Sequence, residues 1–322
     1  MVNPKTSSRG QAEILPSLDD FLLSLQTNNY SPETIYNYER DLKVFAEFLQ
    51  ELNLPFAKLD KKAIDRYKAY LTSRDRLTSA HIASEKRLKS YSINRMLSSL
   101  RAFLRYLIEM DQPTPLSPEA IKLVKTEKKH PQVAELYELV KLIESPNALE
   151  KNKLMALRNR AMLEVLFATG LRISELVNLN RTQIDNTGRI FVMGKGKKER
   201  FVYLTPRAMR HIATYLKTRT DNLSSLFIPY RGENSGKTNK HISTNYLQMK
   251  IKQYREILRI NVPTSAHSLR HGFATYLAEQ GANPAAIQVL LGHESLDTTT
   301  RYVHASDKYA ETTHRKFHPL KE

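Results

Sequence analysis

The chain contains no cysteine, which excludes disulfide staples, thiolate nucleophiles and cysteine-held zinc or iron–sulfur centres. Any nucleophile must then be oxygen or nitrogen. No apolar run approaches the ~18 residues that a membrane helix needs, and the opening MVNPKTSSRGQAE is polar, without the hydrophobic stretch of a signal peptide. These absences predict a soluble, cytoplasmic protein with no membrane partner. Acidic charge is also scarce: 33 Asp and Glu face 50 Lys and Arg, leaving +17 over 322 residues. Such an excess points to a polyanion, and with membranes disfavoured that polyanion is nucleic acid. The signature GxxxxGK[ST] is missing as well, so GKGKKER at 194–200 does not imply ATP.

What is present divides into two helical regions of different texture. A flexible tail is expected over 1–15, a helical bundle over 16–112, a linker over 113–131, a second domain over 132–305 and a terminal tail over 306–322. In the bundle, Ser31-Pro32-Glu33 opens a long helix in which Ile35, Tyr38, Leu42, Phe45, Leu49 and Leu52 recur at steps of three and four. A third helix spans Leu59 to Leu71, and Ser92 caps a fourth whose core side carries Met96, Leu100, Phe103, Leu104 and Leu107. Residues 74–92 between them are rich in Lys and Arg and read, on composition alone, as a solvated loop. Residues 111–131 carry four prolines and four lysines and read as a tether. In the second domain, Leu157 to Thr169 is a buried helix ending at Gly170, and Arg189–Met193 and Arg200–Leu204 are strands joined by a glycine-bearing turn.

The stretch 264–302 gathers the chemistry. A helix capped by Ser265 or Thr264 places His267, Arg270 and His271 at i, i+3 and i+4, which predicts one shared basic face, with Leu269, Phe273 and Leu277 on the other side. A second helix runs from Ala285 to Leu291 and stops at Gly292, followed by His293; Tyr302 comes nine residues later beside Arg301. HxxxH has the spacing of a zinc helix, but the Glu of HExxH is absent and the Arg270 charge would oppose a cation, so no metal is expected. A lone His or Tyr is more often a satisfied packing residue; their joint occurrence with two arginines fits phosphate handling.

Five segments together, ATGLRISEL (168–176), VMGKGKKER (192–200), HSLRHGFAT (267–275), LLGH (290–293) and TTTRYVH (298–304), resemble the signature of the tyrosine site-specific recombinase and integrase family, most closely its Xer branch. The likeness is strong from about residue 130 onward and looser before it. It implies a mainly α fold with a small β-hairpin: an amino-terminal SAM-like helical core-binding domain, then an α+β catalytic domain. It also implies an active site of Arg172, Lys195, His267, Arg270, His293 and Tyr302, with Glu175 fixing Arg172 from i+3. In that reading Tyr302 attacks the scissile phosphate to give a 3′-phosphotyrosyl link, and Arg172 and Arg270 fork onto phosphoryl oxygens. Lys195, on a hairpin tip able to enter a minor groove, protonates the leaving 5′ oxygen; His267 handles the tyrosine proton and His293 bonds a phosphoryl oxygen. No cofactor is required, because the ester link conserves the phosphodiester energy.

The resemblance further implies double-stranded DNA with paired inverted half-sites as partner, and a homo-tetramer on two duplexes, alone or with a second recombinase or accessory protein. Lys86, Arg87, Lys89, Arg95 and Arg101 become the candidate phosphate contacts of the amino-terminal domain, and 306–322 a tail exchanged between protomers. Chromosome dimer resolution and mobile-element integration are both compatible tasks. Two rival readings share features: a type IB topoisomerase uses the same constellation, and a non-catalytic DNA-binding protein would share the charge. The complete six-residue set disfavours the second, and the tail with the HxxR and LLGH spacings disfavours the first.

Overall fold

Two of the amino-terminal helices begin where a side chain satisfies a free backbone N–H group. The structure, a computed structural model, describes residues 14–73, 87–126, 132–194, 199–232, 235 and 241–292, and the chain divides into two compact units, Met1–Lys129 and His130–Glu322. Unit one carries α1 (Leu18–Thr27), α2 (Pro32–Glu51), α3 (Lys61–Thr72) and α4 (Ser90–Glu109). Ser31 accepts from the Thr34 amide ahead of Pro32, and Asp60 accepts from the Ala63 amide at 2.7 Å. The expected Ser92 cap is corrected: α4 starts at Ser90, and its N-cap Lys89 makes no side-chain bond.

The apolar stripes close on an aromatic cluster. Phe21 meets Tyr38 and Phe103 edge-on at centroid distances of 5.6 and 5.5 Å, while Phe45 and Phe48 pack on Tyr67 at 4.9 and 5.0 Å. Leu52, expected in this stripe, lies past the end of α2 and is exposed, and Phe48 is buried in the core instead. One carboxylate enters the core: Asp41 accepts from Arg95 Nη1 at 2.6 Å and Ser99 Oγ at 3.0 Å. Burial pushes its carboxyl pKa up, against the opposing pull of Arg95 and Ser99.

Residues 113–126 are not an open tether, although composition suggested one. Ser117 caps a short turn at Pro118–Ala120, Ile121 is buried, and Asn94 exchanges two hydrogen bonds with the Val124 backbone at 2.8 and 2.9 Å. A side-chain amide that pairs with one residue's N–H and C=O fixes the chain as a strand partner would.

Unit two is organised around a helix buried on every side. Its elements are α5 (Leu136–Glu144), α6 (Pro146–Leu149), α7 (Lys153–Thr169), α8 (Ile173–Val177), β1 (Arg189–Met193), β2 (Glu199–Tyr203), α9 (Pro206–Leu216), α10 (Thr244–Ile257), α11 (Ala266–Glu279) and α12 (Pro284–Leu291). In α7, Ala161, Met162, Leu163, Val165 and Leu166 are wholly buried, which is why no one-sided stripe shows in its sequence. Its buried Arg158 donates to the Ile228 carbonyl and the Tyr246 hydroxyl and lies over the Tyr230 and Tyr246 rings. The two strands pair antiparallel, Arg189 opposite Tyr203 and Val192 opposite Arg200. Among the described residues the fold is thus mainly α with one small hairpin, as the resemblance implied, and no helix is long and apolar enough to cross a membrane.

Candidate active site

The site is assembled where α7 ends, α8 begins and α12 ends. Gly170 closes α7 in the left-handed region at φ +62°, and a Cβ there would come 2.5 Å from a carbon of the Phe273 ring. Only glycine satisfies both conditions. Thr169 Oγ1 donates to the Val165 carbonyl and accepts from the Leu171 amide, which tightens the turn. The next residue, Arg172, therefore leaves the helix end at a fixed angle.

Glu175, one turn into α8, holds that arginine twice. Its Oε2 accepts from the Arg172 amide at 2.8 Å and its Oε1 from Arg172 Nη1 at 2.9 Å, a capping-box arrangement that uses a carboxylate at the third position. Arg200 of β2 forks onto the same carboxylate, Nη1 to Oε1 at 3.0 Å and Nη2 to Oε2 at 2.7 Å. Each Glu175 oxygen thus accepts two bonds, the full capacity of a carboxylate. The two arginines hold the Glu175 carboxyl below the usual carboxylate range, Arg200 contributing most, although burial alone would raise it.

Arginines also meet the carboxyl end of α12. Arg200 Nε donates to the Leu290 carbonyl at 2.9 Å, Arg270 Nη2 to Leu291 at 2.6 Å and Arg172 Nη2 to Gly292 at 3.1 Å. Three successive carbonyls that a helix end leaves without intrahelical partners, at the negative pole of its dipole, are each taken by a different guanidinium. Gly292 ends α12 at φ +65°, and a Cβ there would press on the Arg200 side chain at 3.0 Å. Arg270 Nη1 reaches back to the Gly170 carbonyl at 2.7 Å, so it ties α11 to the ends of both α7 and α12.

The predicted basic face on α11 is corrected in one respect. His267 and His271 do meet, Nε2 to Nε2 at 2.6 Å. Arg270 instead turns inward and is only 4% exposed, because the backbone carbonyls of Gly170 and Leu291 receive it. One imidazole of the pair donates and the other accepts, so one ring nitrogen must be unprotonated. Packing around His267, then the charges of Arg270 and Arg172, lower its pKa from the ordinary imidazole value. Among the described residues no group of His, Asp and Glu could hold a metal ion.

Arg172, Glu175, His267 and Arg270 thus lie in one place, while Lys195, His293, Tyr302 and Lys86 are outside the described residues. Arg87 and Lys89 are exposed just before α4 and Arg101 is half-buried along it. Arg95, expected on phosphate, spends Nη1 on the buried Asp41. Sequence reasoning missed Arg200. The available signal was the period of β2, which puts Arg200 on the same face as the buried Val202.

Two guanidinium forks fixed beside an imidazole, in a mainly helical domain with a single hairpin, are the frame of a tyrosine recombinase. The comparisons agree. Residues 133–309 match the model of the phage integrase family and residues 18–110 that of the phage integrase N-terminal SAM-like domain. The chain belongs to the phage integrase family, as a tyrosine recombinase of the Xer type. It is 30% identical to tyrosine recombinase XerD of Staphylococcus epidermidis, over 94% of this chain and 98% of that one. It is 33% identical to tyrosine recombinase XerC of Halalkalibacterium halodurans, over 93% and 96%. Among solved structures, XerH bound to its palindromic difH substrate in a post-cleavage complex has the same fold, with TM-score 0.69 and 20% identity over 91% of this chain and 83% of that one. A lambda integrase dimer bound to a COC′ core site gives TM-score 0.68 and 15% identity, over 95% and 78%.

Proposed function

We propose that this recombinase cuts and rejoins duplex DNA through a covalent link between Tyr302 and a 3′ phosphate, without metal or nucleotide. The observation that carries the reading is the convergence of Arg172 and Arg270 on one helix end beside His267. Each is anchored from behind by carbonyls and, for Arg172, by Glu175. Because Glu175 offsets Arg200, these two arginines leave about two positive charges in the cluster. An attacking phenolate and a phosphodiester together carry two negative charges, so the site is matched to the charge of the transition state rather than of the ground state.

The Tyr302 oxygen attacks phosphorus, its proton passing to His267, whose lowered pKa keeps an imidazole available as acceptor. The bond to the 5′ oxygen breaks, and Lys195 supplies the proton this oxygen takes. Arg172, Arg270 and His293 hold the phosphoryl oxygens. A 5′ hydroxyl from a second duplex then attacks the phosphotyrosyl ester, its proton passing to Lys195; the bond to Tyr302 breaks and the phenol recovers its proton from His267. Duplex DNA with paired inverted half-sites is the substrate, held by four protomers on two duplexes, with Arg87, Lys89, Arg101 and Lys86 on phosphates and residues 306–322 docked on a neighbouring protomer. The DNA-bound XerH and lambda integrase structures support DNA as the partner through the shared fold.

The test is to trap protein covalently on genomic DNA, sequence the attached fragments and return the recovered sites in pairs to the purified chain. Strand exchange between two duplexes carrying the recovered site is the expected result. Relaxation of supercoils by single protomers, with no exchange, would contradict it.

A further inference from the structure

Arg200 has no place in the six-residue signature, yet its side chain makes three hydrogen bonds within the site. Its side chain is 5% exposed and stands against Glu175, whose side chain is 7% exposed. From β2 its three nitrogens reach both Glu175 oxygens and the Leu290 carbonyl. It thereby joins three pieces that are far apart in the chain: the strand β2, the Arg172 turn, and the end of α12.

Resting on the role assigned to Arg172 above, we propose that Arg200 is a positioning residue that sets the aim of Arg172 and the place of the α12 end. The geometry carries this. Glu175 is shared oxygen for oxygen between the two arginines. Without Arg200, half of the bonds Glu175 accepts are lost, and the carboxylate and Arg172 can rotate together into a closed pair that draws the fork off the phosphate. The Leu290 carbonyl loses its donor as well, which frees the end of α12. A planar fork with a third donor on Nε meets both demands at once; a lysine ammonium can face Glu175 but cannot also span to Leu290.

The experiment compares the full chain with Arg200→Met, Arg200→Lys and Arg172→Ala, reading single-turnover cleavage of a nicked suicide substrate, half-site affinity and thermal unfolding. By analogy with residues that orient a charged ligand, Arg200→Met should slow cleavage roughly 10- to 100-fold, with affinity held within about threefold. Arg200→Lys should fall between it and the parent, since the lysine restores the charge but not the span. Cleavage at the parent rate by folded Arg200→Met, or cleavage and affinity falling in parallel, would overturn the proposal. Should Arg200→Met not fold, Arg200→Lys decides: a several-fold slower rate supports positioning, and the parent rate overturns it. Arg172→Ala separates the two levels. Full activity in that variant would remove the role of Arg172 itself, whereas its loss beside an unaffected Arg200 pair would remove only the positioning role.

Discussion

The Arg172 guanidinium bonds the carbonyl of Gly292, 120 residues later in the chain, at 3.1 Å. That contact makes the start of α8 and the end of α12 one structural element, and it makes Glu175, which holds Arg172 from the other side, a keystone for both. Glu175→Gln keeps the shape but removes the charge between two arginines, and it offers an N–H₂ where an acceptor stood. Removing one partner from a buried ion pair costs ~3 kcal/mol or more. Urea unfolding of the full chain should show that loss in the transition of unit two, together with slower cleavage. A change below ~1 kcal/mol would mean that Glu175 is not the pivot.

Gly170→Ala meets two obstacles, a left-handed backbone at φ +62° and the Phe273 ring 2.5 Å from the new carbon. Strain and overpacking together should destabilise by ~2 kcal/mol or more. Because the Gly170 carbonyl also receives Arg270, cleavage should fall further than stability at temperatures where the variant is folded. Calorimetry with single-turnover cleavage checks both, and an unchanged Tm would contradict the packing account.

In unit one, Arg95 and its basic neighbours should separate cleanly. Arg95→Ala leaves Asp41 buried without its main cation and should destabilise by ~2 kcal/mol, while Asp41→Asn with Arg95→Ala should lose less than the two separate losses added. Arg87→Ala and Lys89→Ala should leave stability alone and each lower the slope of log affinity against log salt by about 1. The reverse pattern, with Arg95 governing the salt slope, would return Arg95 to the DNA contacts.

The acid side of the activity profile follows from His267. Its folded-state pKa lies below the ordinary value of 6.5 through packing and the Arg270 and Arg172 charges, so the folded protein resists a proton that the unfolded chain accepts. Its contribution to stability is therefore complete above pH 6.5 and declines as pH falls through 6.5 toward the folded value. Cleavage should likewise persist below pH 6.5 before it falls. An NMR titration of His267 with a midpoint above 6.5 would contradict this.

Much of this frame was legible in the sequence because it is local. Ser31 and Ser265 cap where hydroxyls precede apolar periodicity, Gly170 and Gly292 end helices, and Glu175 reaches Arg172 from i+3. What stayed hidden depends on distant backbone. The helical wheel puts Arg270 beside His267, but the carbonyls that draw it inward belong to residues 100 and 21 positions away. Arg200 alternates with the aromatics Phe201 and Tyr203, so either face of β2 could have been the buried one. Asn94 gives no hint that it fastens Val124, and a lysine- and proline-rich segment therefore looked freer than it is. α4 opens at Ser90 behind an N-cap, Lys89, that makes no side-chain bond, so no capping side chain marks its start in the sequence.

The central claim, that Tyr302 becomes the covalent carrier of the cut strand, is tested most directly by Tyr302→Phe on a nicked suicide substrate. Loss of the phenolic oxygen should abolish the protease-sensitive, gel-shifted adduct while leaving half-site binding within about twofold of the parent, since binding rests on phosphate contacts elsewhere. An adduct of normal yield from the Phe variant would contradict the account.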